Sequence, residues 1–118
     1  TLAEQIRAKG AGLGGVLTPT GLGTLVQEGK QVIEVDGKKY ILEKPMKADL
    51  AIVEATYADT FGNGVNIGTT RNFNPLMALA ADVVVMGTYE VREPGKVDPS
   101  SVTIHGVLVD YLVEIVEA

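Results

Sequence analysis

Gly10, Gly12 and Gly15 spell G-x-G-x-x-G. That pattern cradles a pyrophosphate when a strand precedes the glycines and a helix N-terminus follows them. Here the context is reversed: residues 1–9 read as a helix and residues 15–18 as a strand. Segment 10–24 holds six of the 14 glycines, among them Gly12, Gly14, Gly21 and Gly23. Two uses stay open for it. It is a turn where two backbones pass closely, or a loop whose exposed N–H groups meet a ligand carbonyl or phosphate. Arg71-Asn72-Phe73-Asn74-Pro75 precedes a second helix. Unpaired N–H groups and a partial positive charge collect at a helix start, and Arg71 adds a fork that fits a carboxylate or phosphate. The structural reading stands beside it: Asn74 caps the helix, Phe73 packs and Arg71 makes an ion pair.

Other chemistry is thinly represented. Glu54 interrupts an apolar run; buried, it is a candidate acid or base, and at a sheet edge it points outward. His105 is the single histidine, with no HExxH or DxDxDG spacing to make a metal site, and reads as a surface or strand-entry residue. Ser100 and Ser101 lie beside Pro99 with no GxSxG elbow. There is no GxxxxGK[ST] loop and no cysteine. Thiolate metal sites, disulfides and cysteine nucleophiles are therefore excluded.

The chain has 118 residues, 46% hydrophobic and 21% charged, with a net charge of −5. One ordered domain is expected. The acidic balance argues against a nucleic-acid partner; Lys38-Lys39 is the only adjacent basic pair. The longest apolar stretch, residues 76–86, is broken by Asp82, short of the ~20 residues a bilayer helix needs. No membrane partner is expected, residues 1–10 do not resemble a signal peptide, and a cytoplasmic setting is the expectation. Thr1 followed by Glu4 has the spelling of a helix cap, so the chain reads as cut from something longer.

These segments need elements to position them. Residues 1–9 form a short helix ended by Gly10. Residues 31–43 form a hairpin around Asp36-Gly37. Residues 49–57 form a strand that turns at 59–63 and returns over 65–67 as a second hairpin. Residues 72–81 form the best helix, with Asn74 as N-cap, Pro75 in its first position and Leu76, Leu79 and Ala80 as its buried face. A strand at 83–88 follows almost directly, then a polar loop at 90–97, a cap at Asp98-Pro99-Ser100 and a last strand at 107–116. The expected class is α/β: a layered domain with a mixed sheet, two short helices and peripheral β-hairpins.

Taken together, LAEQIRAKGAGLGGVLTPTGLGT, GKKYILEKPMKADLAIVEATYADTFGN and TTRNFNPLMALAAD resemble the α subunit of family I coenzyme A transferases, with a weaker match in EPGKVDPSSVTIHGVLVDYLV. That family acts on acetate, acetoacetate, butyrate and similar acids. The resemblance runs through nearly the whole chain and implies that residues 1–118 are the C-terminal portion of such a subunit. The N-terminal half of the subunit, with its VGGF-like loop, lies outside the chain. It further implies a ping-pong exchange: an acyl-CoA is attacked by a glutamate of the β subunit, which then carries coenzyme A as a thioester. Coenzyme A is thus a substrate, and no cofactor is implied. That glutamate sits in an S-E-N-G motif, which is absent here, so the chain supplies no catalytic nucleophile. The expected partners are the β subunit, the other α half, acyl-CoA and a short-chain carboxylate. Gly12, Gly14, Gly21 and Gly23, matching the family's GAG and TPTGVGT segments, and Arg71, Asn72 and Asn74, matching RNFNP, are the candidate cleft residues. One departure is Gly64, where the family often has a bulky residue. The alternative is a non-catalytic coenzyme A- or nucleotide-binding domain, or a structural interaction domain.

Overall fold

The computed structural model describes residues 1–117. Helix α1 (Leu2–Gly10) buries Ile6 and Ala8. Gly10 is its last residue rather than its terminator; Gly12, at φ 70°, turns the chain away. Thr1 occupies the N-cap position without a side-chain cap bond. Glu4, expected to reach back to it, instead pairs with Arg7 at 2.7 Å, because the i, i+3 partner lies on the same face.

The first sheet is antiparallel, in the order β1 (Val16–Thr18), β3 (Lys38–Glu43), β2 (Val32–Val35). Asp36 and Gly37 both adopt positive φ, 50° and 78°, as a two-residue hairpin turn requires. Between β1 and β2, Thr24 accepts the Val26 N–H and starts a 3-10 turn at Leu25–Gln27.

The second sheet is parallel, in the order β4 (Ala48–Ala55), β7 (Ala81–Thr88), β9 (Tyr111–Glu114). Its inner face carries Ala51, Val53 and Ala55 from β4 and Val84 and Met86 from β7. Ala78 of helix α2 (Asn74–Ala80), Ala58 and Ile104 complete this core. Alanine dominates the contact, so α2 lies close to the sheet. Of the expected helix face, Ala80 is buried and Leu76 half-buried, but Ala78 takes the place expected of Leu79, which is 44% exposed and rests over Gly10 of α1. A side chain at residue 10 would meet the Leu79 Cβ at 2.6 Å. The joint from α2 into β7 has no intervening residue.

The third sheet is small, in the order β6 (Gly64–Val65), β5 (Tyr57–Asp59), β8 (Val91–Arg92). The expected long strand is thus two: β4 ends at Ala55, and only β5 makes the second hairpin. Asp59, nearly buried, clasps its turn by accepting the N–H groups of Phe61 and Asn63 and the Asn63 side-chain amide, each at 3.0 Å. β8 falls where a loop was expected, held by Arg92, whose guanidinium lies 3.7 Å over the Tyr57 ring. The last strand begins late because Asp110 occupies its head. The Asp110 side chain accepts the Val84 N–H at 2.8 Å and its own N–H donates to the Val84 carbonyl at 2.9 Å. The α/β class with two helices and hairpins is observed, its strands divided among three sheets.

Candidate functional site

The carboxyl end of β4 is where polar side chains converge. Successive residues of a strand turn their N–H and C=O groups to opposite edges. Those of Glu54 face away from β7 and are gripped by two asparagines. Asn74 Oδ1 accepts the Glu54 N–H at 2.9 Å, and Asn66 Nδ2 donates to the Glu54 carbonyl at 2.6 Å. Asn74 Nδ2 also donates to the Thr70 carbonyl at 2.7 Å. Asn74 therefore bridges the strand to the 3-10 turn Gly68–Arg71 that precedes α2. It is not the N-cap: Phe73 occupies that position without a side-chain cap bond, and Asn74 is the first helical residue, with Pro75 next. Its amide is drawn away because a part-buried strand N–H on the free edge of β4 needs an acceptor. Asn66 is fixed in turn by Thr103, whose hydroxyl donates to Asn66 Oδ1 at 2.7 Å and accepts the Asn66 N–H at 2.9 Å.

The Glu54 side chain projects to the outer face of the parallel sheet. There it lines an open groove of about 490 Å³ with Ile52, Val85, Gly87, Val113, Ile115, Thr70 and Asn74. Gly87 forms the floor, since a Cβ there would press on the Ile115 side chain at 2.9 Å. Grooves at the carboxyl ends of parallel strands are the usual ligand position in open α/β sheets. Arg71 belongs to a neighbouring depression with Tyr57, Asn66, Gly68, Ser100 and Ser101. Arg71 and Asn72 are exposed, and Arg71 has no ion-pair partner among the described residues.

The glycines are placed differently. Gly12, Gly14 and Gly23 have nothing within 4 Å of where a side chain would begin, whereas Gly21 abuts Val26 at 2.8 Å. Gly12, Gly21 and Gly23 also need their positive φ; Gly14 needs neither space nor φ. Gly23 lines a shallow depression with Thr24, Gln27, Glu28, Gly29 and Lys30. The structure joins Asn74 to the Arg71 turn and leaves the glycine loops on other surfaces. Beside them is a pair the sequence reading missed: Glu43, only 6% exposed, meets Lys30 at 2.6 Å. The signal was its spacing of two from Ile41, which puts both residues on the buried face of β3. His105 is exposed, as expected. Glu90 and Glu4 ionise below the usual carboxylate range because Arg92 and Arg7 hydrogen-bond them, and Lys47 is pushed up by Asp82.

The geometry offers a wall with an open groove and an unpaired cation. A model of the coenzyme A transferase family matches residues 1–115. The chain belongs to the coenzyme A transferase family. It is 50% identical over 113 residues to the alpha subunit of acetate CoA-transferase from Escherichia coli, covering 96% of this chain and 51% of that protein. It is 46% identical over 114 residues to the acetoacetyl-CoA:acetate/butyrate CoA transferase alpha subunit of Clostridium acetobutylicum, covering 97% and 52%. Among solved structures it superposes on an acyl-CoA transferase of E. coli O157:H7 with a TM-score of 0.87 at 25% identity, covering 97% of this chain and 26% of that one. The chain spans about half the length of the curated relatives it matches. At Gly64, where the sequence resemblance leads to the expectation of a bulky residue, the space is filled from within: a Cβ there would lie 2.6 Å from the Met86 sulfur and 3.0 Å from the Ala55 Cβ. No helix among the described residues is long and apolar enough to cross a membrane.

Proposed function

We propose that this chain is the C-terminal portion of the α subunit of a coenzyme A transferase that moves coenzyme A between a short-chain acyl-CoA and a carboxylic or 3-oxo acid. The observation carrying this reading is the match along 96% of the chain to a subunit named alpha, at 50% identity. The chemistry is covalent: a glutamate carboxylate of a β subunit attacks the acyl carbonyl and expels the coenzyme A thiolate, leaving a glutamyl–acyl anhydride; the thiolate then attacks the glutamyl carbonyl, the acid leaves as its carboxylate, and the resulting glutamyl thioester is taken through the reverse steps by a second acid. This chain lacks the S-E-N-G motif and contributes shape. The Asn74 bridge holds the Arg71 turn against the sheet, and the exposed guanidinium suits a carboxylate or phosphate of the substrates. A cytoplasmic setting belongs to the same reading, in keeping with the cysteine-free composition.

The test is reassembly. Exchange of coenzyme A between acetate and a short-chain acyl-CoA is followed for the 118-residue chain alone, then with a β subunit plus the rest of an α subunit. Activity is expected only in the assembly, and Arg71→Ala there lowers it. A thioester trapped on any carboxylate of this chain would falsify the assignment. Tight calorimetric binding of coenzyme A to the chain alone would instead favour a self-sufficient binding domain.

A further inference from the structure

The segment between β1 and β2 is fastened differently from the rest of the chain. From Gly21 to Lys30 its hydrogen bonds close on themselves. The Thr24 N–H and hydroxyl both donate to the Gly21 carbonyl, at 3.1 and 2.6 Å. The Gly23 N–H donates to Gln27 Oε1 at 2.8 Å, and the Lys30 N–H to the Gln27 carbonyl at 3.0 Å. Val26 packs back against Gly21. Among the described residues, no hydrogen bond joins this segment to a β-strand or to either α-helix. Burial does not anchor it either: none of its residues is buried, and Leu25 is 81% exposed. The sheet takes hold again at Gln31, whose carbonyl accepts the Leu42 N–H at 2.8 Å.

Two residues of β3 lie beneath. Ile41 is fully buried, its Cδ1 3.6 Å from where a Gly21 side chain would begin. Glu43, two residues on and therefore on the same face, meets Lys30. That pair is the one polar tie from the segment to the sheet among the described residues. It is incompletely made. Lys30 Nζ lies 2.6 Å from Glu43 Oε1, yet Oε1 has no hydrogen-bond partner, so charge meets charge without donor alignment. A buried pair adds little net stability, and its best-attested use is to fix one arrangement against others. Beside it a cavity of about 390 Å³ extends from Gly29 and Lys30 to Gln5 of α1 and Lys44.

We propose that Gly21–Lys30 is a strap that swings as one body between Thr20 and Gln31, latched by the Lys30–Glu43 pair, and that its opening uncovers Ile41, Glu43 and the cavity beside them. The internal bonds travel with the strap. Opening therefore breaks one ion pair and a small apolar contact, not a layer of structure. Once open, the cavity presents the Glu43 carboxylate to solvent together with the Gln5 and Gln31 amides. The strap shares no residue with the Asn74 bridge or with the groove at the end of β4, so the reaction assigned above plays no part in this motion.

The chain has no cysteine, so Ile41→Cys places a single thiol under the strap, and its modification by a soluble aromatic disulfide reports opening. Ala78→Cys, in the core of the parallel sheet, is the control for general loosening. Lys30→Met and Glu43→Gln each remove the latch. Either is expected to speed modification at position 41 at least about tenfold, a low value for a broken buried pair because Lys30 is partly exposed. The control thiol should react, and the Leu42 amide exchange, as in the parent. A second measurement needs no buried substitution. In relaxation dispersion on the parent chain, the amides of residues 21–30 should share one opening rate on the microsecond-to-millisecond scale, and Glu43→Gln should raise the open population. Latch variants that react at the parent rate would overturn the proposal. So would faster reaction matched by the control thiol or by loss of Leu42 protection, since the sheet itself would then be opening. Strap amides that share no process, or that do not respond to Glu43→Gln, would overturn it as well, whether or not Ile41→Cys folds.

Discussion

Replacing Asn74 separates two roles that the sequence alone leaves together. As a helix cap, Asn74 would be replaceable by serine at little cost, because serine and asparagine cap almost equally well. As a bridge it cannot be, because a serine hydroxyl is too short to span from the Glu54 N–H, 2.9 Å from Oδ1, to the Thr70 carbonyl, 2.7 Å from Nδ2. Each neutral hydrogen bond contributes about 1 kcal/mol net, and a buried N–H left unsatisfied costs about 1–3 kcal/mol. The Glu54 N–H is part-buried and on an edge that water can approach, so the lower end of that range applies. Asn74→Ser and Asn74→Ala should therefore each lose about 2 kcal/mol. Urea unfolding of the purified chain measures this directly, with an unchanged slope marking a change in stability alone. Amide exchange supplies a second readout: Glu54 should be the residue whose protection falls most. A serine variant as stable as the parent, with Glu54 still protected, would refute the bridge and restore the cap.

Further substitutions test the packing and the charges. Gly14→Ala should leave the fold intact or stabilise it by about 0.4–1 kcal/mol, since nothing lies within 4 Å and φ is ordinary; a drop in the thermal midpoint would contradict the placement of that loop. Gly64→Ala should cost about 1–3 kcal/mol by overpacking, because its Cβ falls 2.6 Å from the Met86 sulfur, and a neutral result in urea would show that Met86 moves aside freely. Lys30→Met leaves the Glu43 carboxylate buried without its partner. That loss is about 3 kcal/mol for a buried pair, reduced here because Lys30 is 35% exposed, and Glu43→Gln in the same background should recover part of it. Glu4 and Glu90 have folded pKa values below the unfolded ones because of Arg7 and Arg92. Their contribution is therefore full above the ordinary carboxylate value and disappears as pH falls through the lowered folded one. Both pairs are exposed, so the effect is small and screened by salt. Unfolding midpoints between about pH 6 and 3 in dilute buffer should fall less steeply for Glu90→Gln, and an identical slope would remove the pair from the account.

What could be read from the sequence was whatever a few neighbouring residues decide. Asp36-Gly37 specifies its hairpin through two positive φ angles, and Asp98 accepts the Ser100 N–H two residues on; both are local backbone chemistry. The helix α2 was legible through Pro75, but its buried face was not. Ala78 is selected by how closely α2 lies on the parallel sheet, which is a property of the assembled layers. The same limit applies to the site. Asn74 lies 20 positions from the strand it holds and Asn66 lies 37 from Thr103, and no pattern of spacing announces either partner. Asp110 reads as an interruption of an apolar run, yet it substitutes for backbone at the head of β9. Resemblance along the whole chain reached the family where isolated motifs could not, because identity of about half the residues integrates many weak local constraints.

The direct passage from Ala80 to Ala81 has a mechanical consequence. With no slack residue at the joint, the helix acts as a lever fixed to the centre strand of the parallel sheet. A push delivered at the Arg71–Phe73 end reaches Val84 and Met86 as a torque on the whole layer, not as a local flexing.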